Sequence, residues 1–380
     1  MIESVSAAKE KLKHLAATQP PSGGFFVSAS FSTSRLDDWR QFVPTFINSE
    51  FNRLTKESSW SKEERRQVQA DVEYILDTVQ YDITPDTQGL AIFANGGQRE
   101  RMELPMRLDN WMTIEPSPYV RPIVQALSLL EPFIVARVSR DESSLFLVNE
   151  WRLTKEEDLS GPWLRSSDRE TGEVSIKEYF AAARQDSLVE HHYKEVGAAL
   201  AKLLLESSSR RVVLCAQHDI GQAFRRALPQ ALAAHVVVDI PFDAAATNAQ
   251  MLVAARGALE KARNTEIEVL ANWIKDAIGT GGRGVATFDD IVGAVRRGQV
   301  QTLLVERNLR IPGWRCMDCD WVGLDYVELC PVCEDFTVPV SDAIGELVRL
   351  TIRQNGRVEV GDNIPTLDAL GGVAAILRFP

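Results

Sequence analysis

Cys316-Met-Asp-Cys319 and Cys330-Pro-Val-Cys333 are two C-x-x-C pairs separated by ten residues. Two pairs this close have the spacing of a tetrahedral four-cysteine zinc site. Each pair presents two thiolates to one metal, and the intervening loop lets a short hairpin bring the pairs together. The alternative is two redox dithiols. Four of the chain's five cysteines lie here. In a reducing compartment such a pattern means metal or catalysis, not disulfides. A closed four-ligand site leaves no open position for substrate, so its expected role is structural. The expected ribbon covers residues 313–336, with Cys316, Cys319, Cys330 and Cys333 as ligands.

Other residues that could carry chemistry have plainer readings. Gly96-Gly97-Gln98 sits between two strand-like runs, and Asn95-Gly96 is a strong hairpin signal of the type I′ kind. His191 and His192 are neighbours on a helical segment, with Glu190 and Glu195 nearby. Adjacent helical residues point to different sides, so the pair reads as surface polarity, not as a shared metal site. His218-Asp219 follows a strand-like run and is expected to cap the next helix. Thr280-Gly-Gly-Arg-Gly284 lacks the Gly-Lys-Ser/Thr of a phosphate loop and reads as the break after a long helix. Cys215 reads as a buried strand residue. Trp39, Trp60, Trp111, Trp151 and Trp163 read as core and loop anchors.

These residues need elements to hold them. Ser or Thr followed three residues later by an acid marks helix starts. Ser34…Asp37, Ser61…Glu64, Ser175…Glu178 and Thr287…Asp290 predict helices to about residues 54, 80, 206 and 297. β-branched and aromatic runs predict strands over 24–31, 90–94, 99–104, 132–138, 144–149, 211–215, 235–240 and 300–306. Three parts follow. Residues 1–129 read as an α+β N-terminal domain. Residues 130–242 read as an α/β layer: strand, strand, loop, long helix, strand, helix, strand. Residues 243–380 read as an α/β C-terminal domain. It opens with a helical connector over 243–278 and carries the cysteine insert between a strand and a helix at about 341–353.

The chain has 380 residues, 45% hydrophobic and 25% charged, the composition of an ordinary globular protein. Apolar runs such as Ala231–Val238 are too short to span a membrane. Met1-Ile2-Glu3-Ser4 does not open a signal peptide, so a cytoplasmic protein is expected. A net charge of -11 argues against non-specific nucleic-acid binding as the main activity. Docking onto RNA through a local patch stays open; the basic doublets Arg210-Arg211, Arg225-Arg226 and Arg296-Arg297 read as solvated surface.

Residues 132–138 (Pro-Phe-Ile-Val-Ala-Arg-Val) and 144–149 (Ser-Leu-Phe-Leu-Val-Asn) resemble the hairpin that opens the middle domain of the archaeo-eukaryotic class I peptide-chain release factors and Pelota. The helix 192–205, followed by Arg211-Val-Val-Leu-Cys-Ala-Gln-His-Asp219, is similar to the next helix, strand and helix start. Residues 288–305 resemble the helix and strand that open the family's C-terminal domain. Gly371-Gly372…Ile376-Leu-Arg-Phe379 looks like its closing turn and strand. The likeness covers about 250 residues and is greatest to the family's bacterial relatives. It implies an RNase H-like middle domain and a C-terminal domain like small ribosomal proteins that bind kinked RNA. The cysteines fall where some members insert a zinc-binding minidomain. Implied partners are the ribosome, tRNA and rRNA, and a translational GTPase.

Members that release nascent chains use Gly-Gly-Gln at the tip of a middle-domain loop. Water attacks the ester joining peptide to tRNA. Glycines let the backbone approach the tRNA end, and the glutamine backbone N–H steadies the developing oxyanion. Gly96-Gly97-Gln98 has those residue types but lies in the first part of the chain. The loop at the matching position, 160–173, has Gly161 and Gly172 with Arg165 and Arg169 available for phosphate, and no Gly-Gly-Gln. The expected function is therefore a ribosome-binding factor of termination or rescue, with peptidyl-tRNA hydrolysis open. The alternative is a non-catalytic ribosome or RNA-binding adaptor. A nuclease would need acids on the first strand of the middle domain to hold divalent metals, and residues 133–138 contain none. Residues 1–129 show no counterpart of the stop-codon-reading domain.

Overall fold

The computed structural model describes residues 5–379 except 19–23, 34–37, 57, 59, 82, 84–86, 150–151, 162–175, 208 and 242–245. Arg165, Arg169 and Gly172, with Trp151 and Trp163, lie outside the described residues. So do the predicted helix starts at Ser34 and Ser175.

The chain runs α1 (Val5–Ala17), β1 (Phe26–Ser32), α2 (Trp39–Lys56), α3 (Lys62–Tyr81), β2 (Gly89–Asn95), β3 (Gln98–Leu104), β4 (Trp111–Glu115) and α4 (Arg121–Leu129). Then come β5 (Phe133–Val138), β6 (Glu142–Asn149), β7 (Arg152–Ser160), α5 (Ile176–Glu206), β8 (Val212–Ala216), α6 (His218–Ala227), α7 (Gln230–Ala233), β9 (Val236–Pro241) and α8 (Asn248–Gly279). The last stretch is β10 (Gly284–Val285), α9 (Phe288–Arg296), β11 (Val300–Glu306), β12 (Gly313–Cys316), β13 (Val322–Gly323), β14 (Thr337–Val340), α10 (Ala343–Arg353), β15 (Arg357–Gly361), α11 (Pro365–Ala369) and β16 (Val373–Leu377). These elements form two compact units, Met1–Leu129 with Asn264–Pro380, and Leu130–Arg263.

In the discontinuous unit, β3-β2-β1-β4 form an antiparallel sheet. Helix α3 begins as its sequence predicts. Glu64 Oε2 accepts from Ser61 N–H at 2.7 Å, and Ser61 Oγ accepts from Glu64 N–H at 3.2 Å, a reciprocal cap. Val68, Val72, Ile75 and Val79 recur at helical spacing and pack on Val27, Ala29, Phe31, Leu90 and Ile92. A second sheet, β10-β16-β11-β15, pairs β11 with β15 in parallel and its other neighbours antiparallel. Thr287 Oγ1 accepts from Asp290 N–H at 3.3 Å and caps α9.

Residues 1–129 and 264–380 are joined by buried charge. Arg121 donates to Asp342 Oδ2 at 2.7 Å and Tyr119 to the same oxygen at 2.8 Å. Arg349 donates to the Ala16 carbonyl at 3.0 Å, and Ser341 N–H donates to Glu115 Oε1 at 2.8 Å. Burial of these groups requires such partners.

The continuous unit is one five-stranded sheet, β7-β6-β5-β8-β9. β5, β6 and β7 are antiparallel neighbours; β5, β8 and β9 are parallel. Ile134, Ala136 and Val138 face Tyr193, Val196 and Leu200 of α5 and Phe224 of α6. Phe133 and Val135 face Met251 and Ala255 of α8 on the opposite side. A strand covered on both faces is apolar almost throughout, which is why β5, interrupted only by Arg137, is legible in the sequence.

Several elements depart from the sequence expectations: α1, β4, α7, β10 and α11 fall where no helix or strand is expected. β7 occupies what reads as loop: it is an edge strand, and its residues Arg152–Ser160 are exposed or half-buried throughout. Its backbone pairs with β6 without an apolar face to announce it. Among the described residues no helix is long and apolar enough to cross a membrane.

Candidate metal centre

β12 pairs antiparallel with both β13 and β14 to give a three-stranded ribbon. Cys316 closes β12, and Cys319 follows after a tight turn. Cys330 lies beside an isolated bridge between Leu329 and Phe336. The backbone repeats itself at the two pairs. Asp318 and Cys319 N–H donate to Cys316 Sγ at 3.4 and 3.5 Å, and Val332 N–H donates to Cys330 Sγ at 3.4 Å. The residue after each second cysteine, Asp320 or Glu334, has a left-handed backbone, with φ of 59° and 61°. Each C-x-x-C-acid segment thus turns back on itself and aims both sulfurs inward.

The four Sγ atoms lie within 4.8 Å of one another. Cys316 and Cys333 sulfurs are 3.3 Å apart, and those of Cys319 and Cys330 are 3.4 Å apart. Cys316 and Cys330 are buried. Burial pushes the Cys316 and Cys319 thiols up. Cys330 is also pushed up by burial, but the Cys333 and Val332 N–H groups outweigh it and hold this thiol below its ordinary value. The donor set fits a metal ion: convergent thiols with N–H groups ready to share thiolate charge. Among the described residues it is the one group of three or more metal-capable side chains.

The centre is anchored to α10. Arg353 donates to Asp320 Oδ2, and Arg349 lies 3.7 Å from its Oδ1. Arg349 also donates to Glu346 Oε2 at 2.9 Å. Arg315, which precedes the first ligand, is buried 3.6 Å from Glu346. Desolvation of Glu346 is outweighed by Arg349 and Arg315, which hold its carboxyl below the usual range. Asp320 was not singled out in the sequence, although the twice-repeated acid after the second cysteine was visible there.

The other candidates fall elsewhere. Gly96 and Gly97 are the two central residues of the β2–β3 hairpin, with φ of 54° and 150° and with Asn95 opposite Gln98. The turn is thus Gly-Gly, one residue beyond the Asn-Gly expected. The buried Asp71 carboxylate accepts from Gly96 N–H at 2.8 Å. Gln98 is exposed. Gly161 closes the end of β7, where its N–H donates to the Asp141 carbonyl at 2.6 Å.

His191 is exposed 3.5 Å from Glu195. His192, expected at the surface, is buried, with Nε2 3.0 Å from Ser143 Oγ. Burial holds its pKa below the ordinary value. His218 opens α6 without capping it; Gln217 is the cap position and makes no side-chain cap bond. Asp219 pairs with Arg140 at 3.6 Å and Asp239 with Arg225 at 2.6 Å. Cys215 is buried in β8, and burial pushes its thiol up to about 11.

A mixed α/β protein with a four-thiol centre is a broad class, and comparison narrows it. Residues 118–260 match the model of bacterial archaeo-eukaryotic release factor family 10. The match covers less than half of the chain, and over that segment the chain is similar to the bacterial archaeo-eukaryotic release factors. No curated protein matches the chain. Among solved structures, an archaeal translation termination factor, aRF1, is 17% identical over 100% of this chain and 99% of its own, with a TM-score of 0.28. Archaeoglobus fulgidus Pelota is 14% identical over 77% and 79%, with a TM-score of 0.35. S. cerevisiae Dom34, a translation termination-like factor, is 11% identical over 81% and 78%, with a TM-score of 0.40. These scores are too low to equate the folds.

Proposed function

We propose that the chain is a release-factor-like protein that binds the ribosome and acts in peptide-chain termination or ribosome rescue. The observation that carries this reading is the family match over residues 118–260. Three antiparallel strands continued by two parallel ones, with helices on both faces, support an RNase H-like middle domain. The partners on this reading are the ribosome with its tRNA and rRNA, and a translational GTPase. The metal is Zn²⁺, held by Cys316, Cys319, Cys330 and Cys333. Four protein ligands close the coordination shell, so zinc supplies fold stability and not Lewis-acid chemistry.

Of the two ways such a factor could work, the non-catalytic adaptor is better supported. Both glycines of Gly96-Gly97-Gln98 are used by a two-residue hairpin turn, and Asp71 ties Gly96 N–H to the protein interior. The hydrolytic reading has one observation behind it: Gln98 is exposed, and nothing lies within 4 Å of where a Gly97 side chain would begin.

The test is ribosome co-sedimentation together with peptide release from stalled complexes. Wild type, Gln98→Ala and a deletion of 162–173 are compared. Wild type should co-sediment and release no more peptide than background. The deletion should weaken co-sedimentation, because it removes Arg165 and Arg169. Release that is lost in Gln98→Ala would replace the adaptor with the hydrolase. Failure of wild type to co-sediment would overturn both.

A further inference from the structure

The outer half of the ribbon gathers exposed large apolar side chains on one hairpin. From Leu324 to Phe336, only Val327 and Cys330 are not exposed. Tyr326 and Phe336 are each 64% exposed, Leu329 is 50% and Val332 is 44%. Leu329 and Phe336 are bridge partners on adjacent backbones, so their side chains emerge side by side. Tyr326 is held edge-on to Trp314 at 4.6 Å between ring centroids. Large apolar side chains exposed singly need no explanation, but several fixed on one stapled hairpin mark an interaction site.

The charge around them has one sign. Asp325, Glu328, Glu334 and Asp335 are exposed among these apolar residues. No lysine or arginine occurs between Cys316 and Arg349. Among the described residues, none of the four acids is paired with a cation. A phosphate backbone is repelled by such a face. A second copy of the same face would set acid against acid.

We infer that this hairpin docks a protein segment in which lysine or arginine alternates with large apolar residues. The apolar groups supply burial and the acidic rim selects basic partners and speeds encounter. The metal centre holds the presenting loop in one conformation, so little ordering opposes binding. This goes beyond the ribosomal reading and holds without it.

Three twelve-residue peptides test the inference. All have leucine and phenylalanine at alternate positions; the intervening positions are lysine, glutamate or serine. Binding to the full-length, metal-loaded protein is read by fluorescence anisotropy, beside a uridine-rich RNA twenty-mer. The lysine peptide should bind at least tenfold tighter than the others and weaken as salt rises. Phe336→Ser should weaken it by about thirtyfold, the effect of truncating an anchor. Val332→Ser, at the turn between the bridged segments, repeats the measurement where folding is not at stake, and metal content verifies both variants. Glu328→Gln with Glu334→Gln should flatten the salt dependence. Equal binding of the peptides, no binding of the lysine peptide, preference for the RNA, or indifference to both serine variants would each overturn the inference.

Discussion

Removing one ligand from the ribbon should melt the ribbon and loosen α10 while sparing the unit formed by residues 130–263. Cys316→Ser leaves three thiols where the closed site has four. The ribbon has little else inside it: Val322 and Val340 are its buried aliphatic side chains apart from the cysteines. Burying two such side chains contributes about 3 to 6 kcal/mol. Ordering the residues between the first and last ligand costs roughly 1 to 2 kcal/mol each. On the proposed zinc reading, a structural metal supplying about 10 to 16 kcal/mol would offset that cost. Without it, residues 316–336 lose their order.

The disturbance then has a defined path. Asp320 leaves Arg349 and Arg353. Arg349 is buried and keeps Glu346 at 2.9 Å and the Ala16 carbonyl at 3.0 Å. Losing one of its three partners costs about 1 to 3 kcal/mol. For a unit of this size that lowers Tm by about 2 to 12 °C. Hydrogen exchange should rise over 313–340, less over 343–353, and stay unchanged over 130–263. Asp320→Asn should reproduce the Tm shift with the ribbon still protected. Protection of the ribbon in Cys316→Ser would refute the metal's structural role. Exchange spreading through 130–263 would refute the independence of the two units.

Three further outcomes are expected. Glu115 is buried, and burial raises its carboxyl to about 7. Its protonated form is favoured by the fold, so it opposes folding increasingly as pH rises from about 4.5 through 7. Glu115→Gln, which keeps the oxygen that accepts from Ser341, should stabilise the protein by up to about 3 kcal/mol at pH 8 and change little near pH 4; chemical denaturation at the two pH values checks this. Asp71→Ala removes the acceptor for Gly96 N–H and for Gln67 Nε2, and should cost about 1 to 3 kcal/mol by the same method. Ser143→Ala leaves His192 buried with neither ring nitrogen bonded, since Nδ1 already lacks a partner among the described residues. A loss of about 1 to 3 kcal/mol should follow, together with a downfield or upfield change in the His192 ring resonances that marks its altered tautomer.

Local chemistry was legible where a pattern is self-sufficient. Ser61…Glu64 and Thr287…Asp290 each carry both halves of a cap within one turn, and both helices begin where those residues stand. β5 announces itself because it is apolar on both faces. The four cysteines declare a shared site because each C-x-x-C turn is short enough to fix two sulfurs by itself, and the structure gathers all four. β7 was illegible because an exposed edge strand is held by backbone bonds that any sequence can make.

Two matters were decided by the tertiary structure. His192 is polar in type and flanked by polar neighbours, so its burial against Ser143 depends on a residue 49 positions away. The joining of residues 1–129 with 264–380 rests on Arg121 meeting Asp342 and Arg349 meeting the Ala16 carbonyl, across more than 220 residues of chain. Charges of this kind look like surface in the sequence because composition records what a side chain is and not what compensates it. Spacing determines a four-thiol cluster made by two turns. Partnership between distant charges exists only once the chain has closed around them.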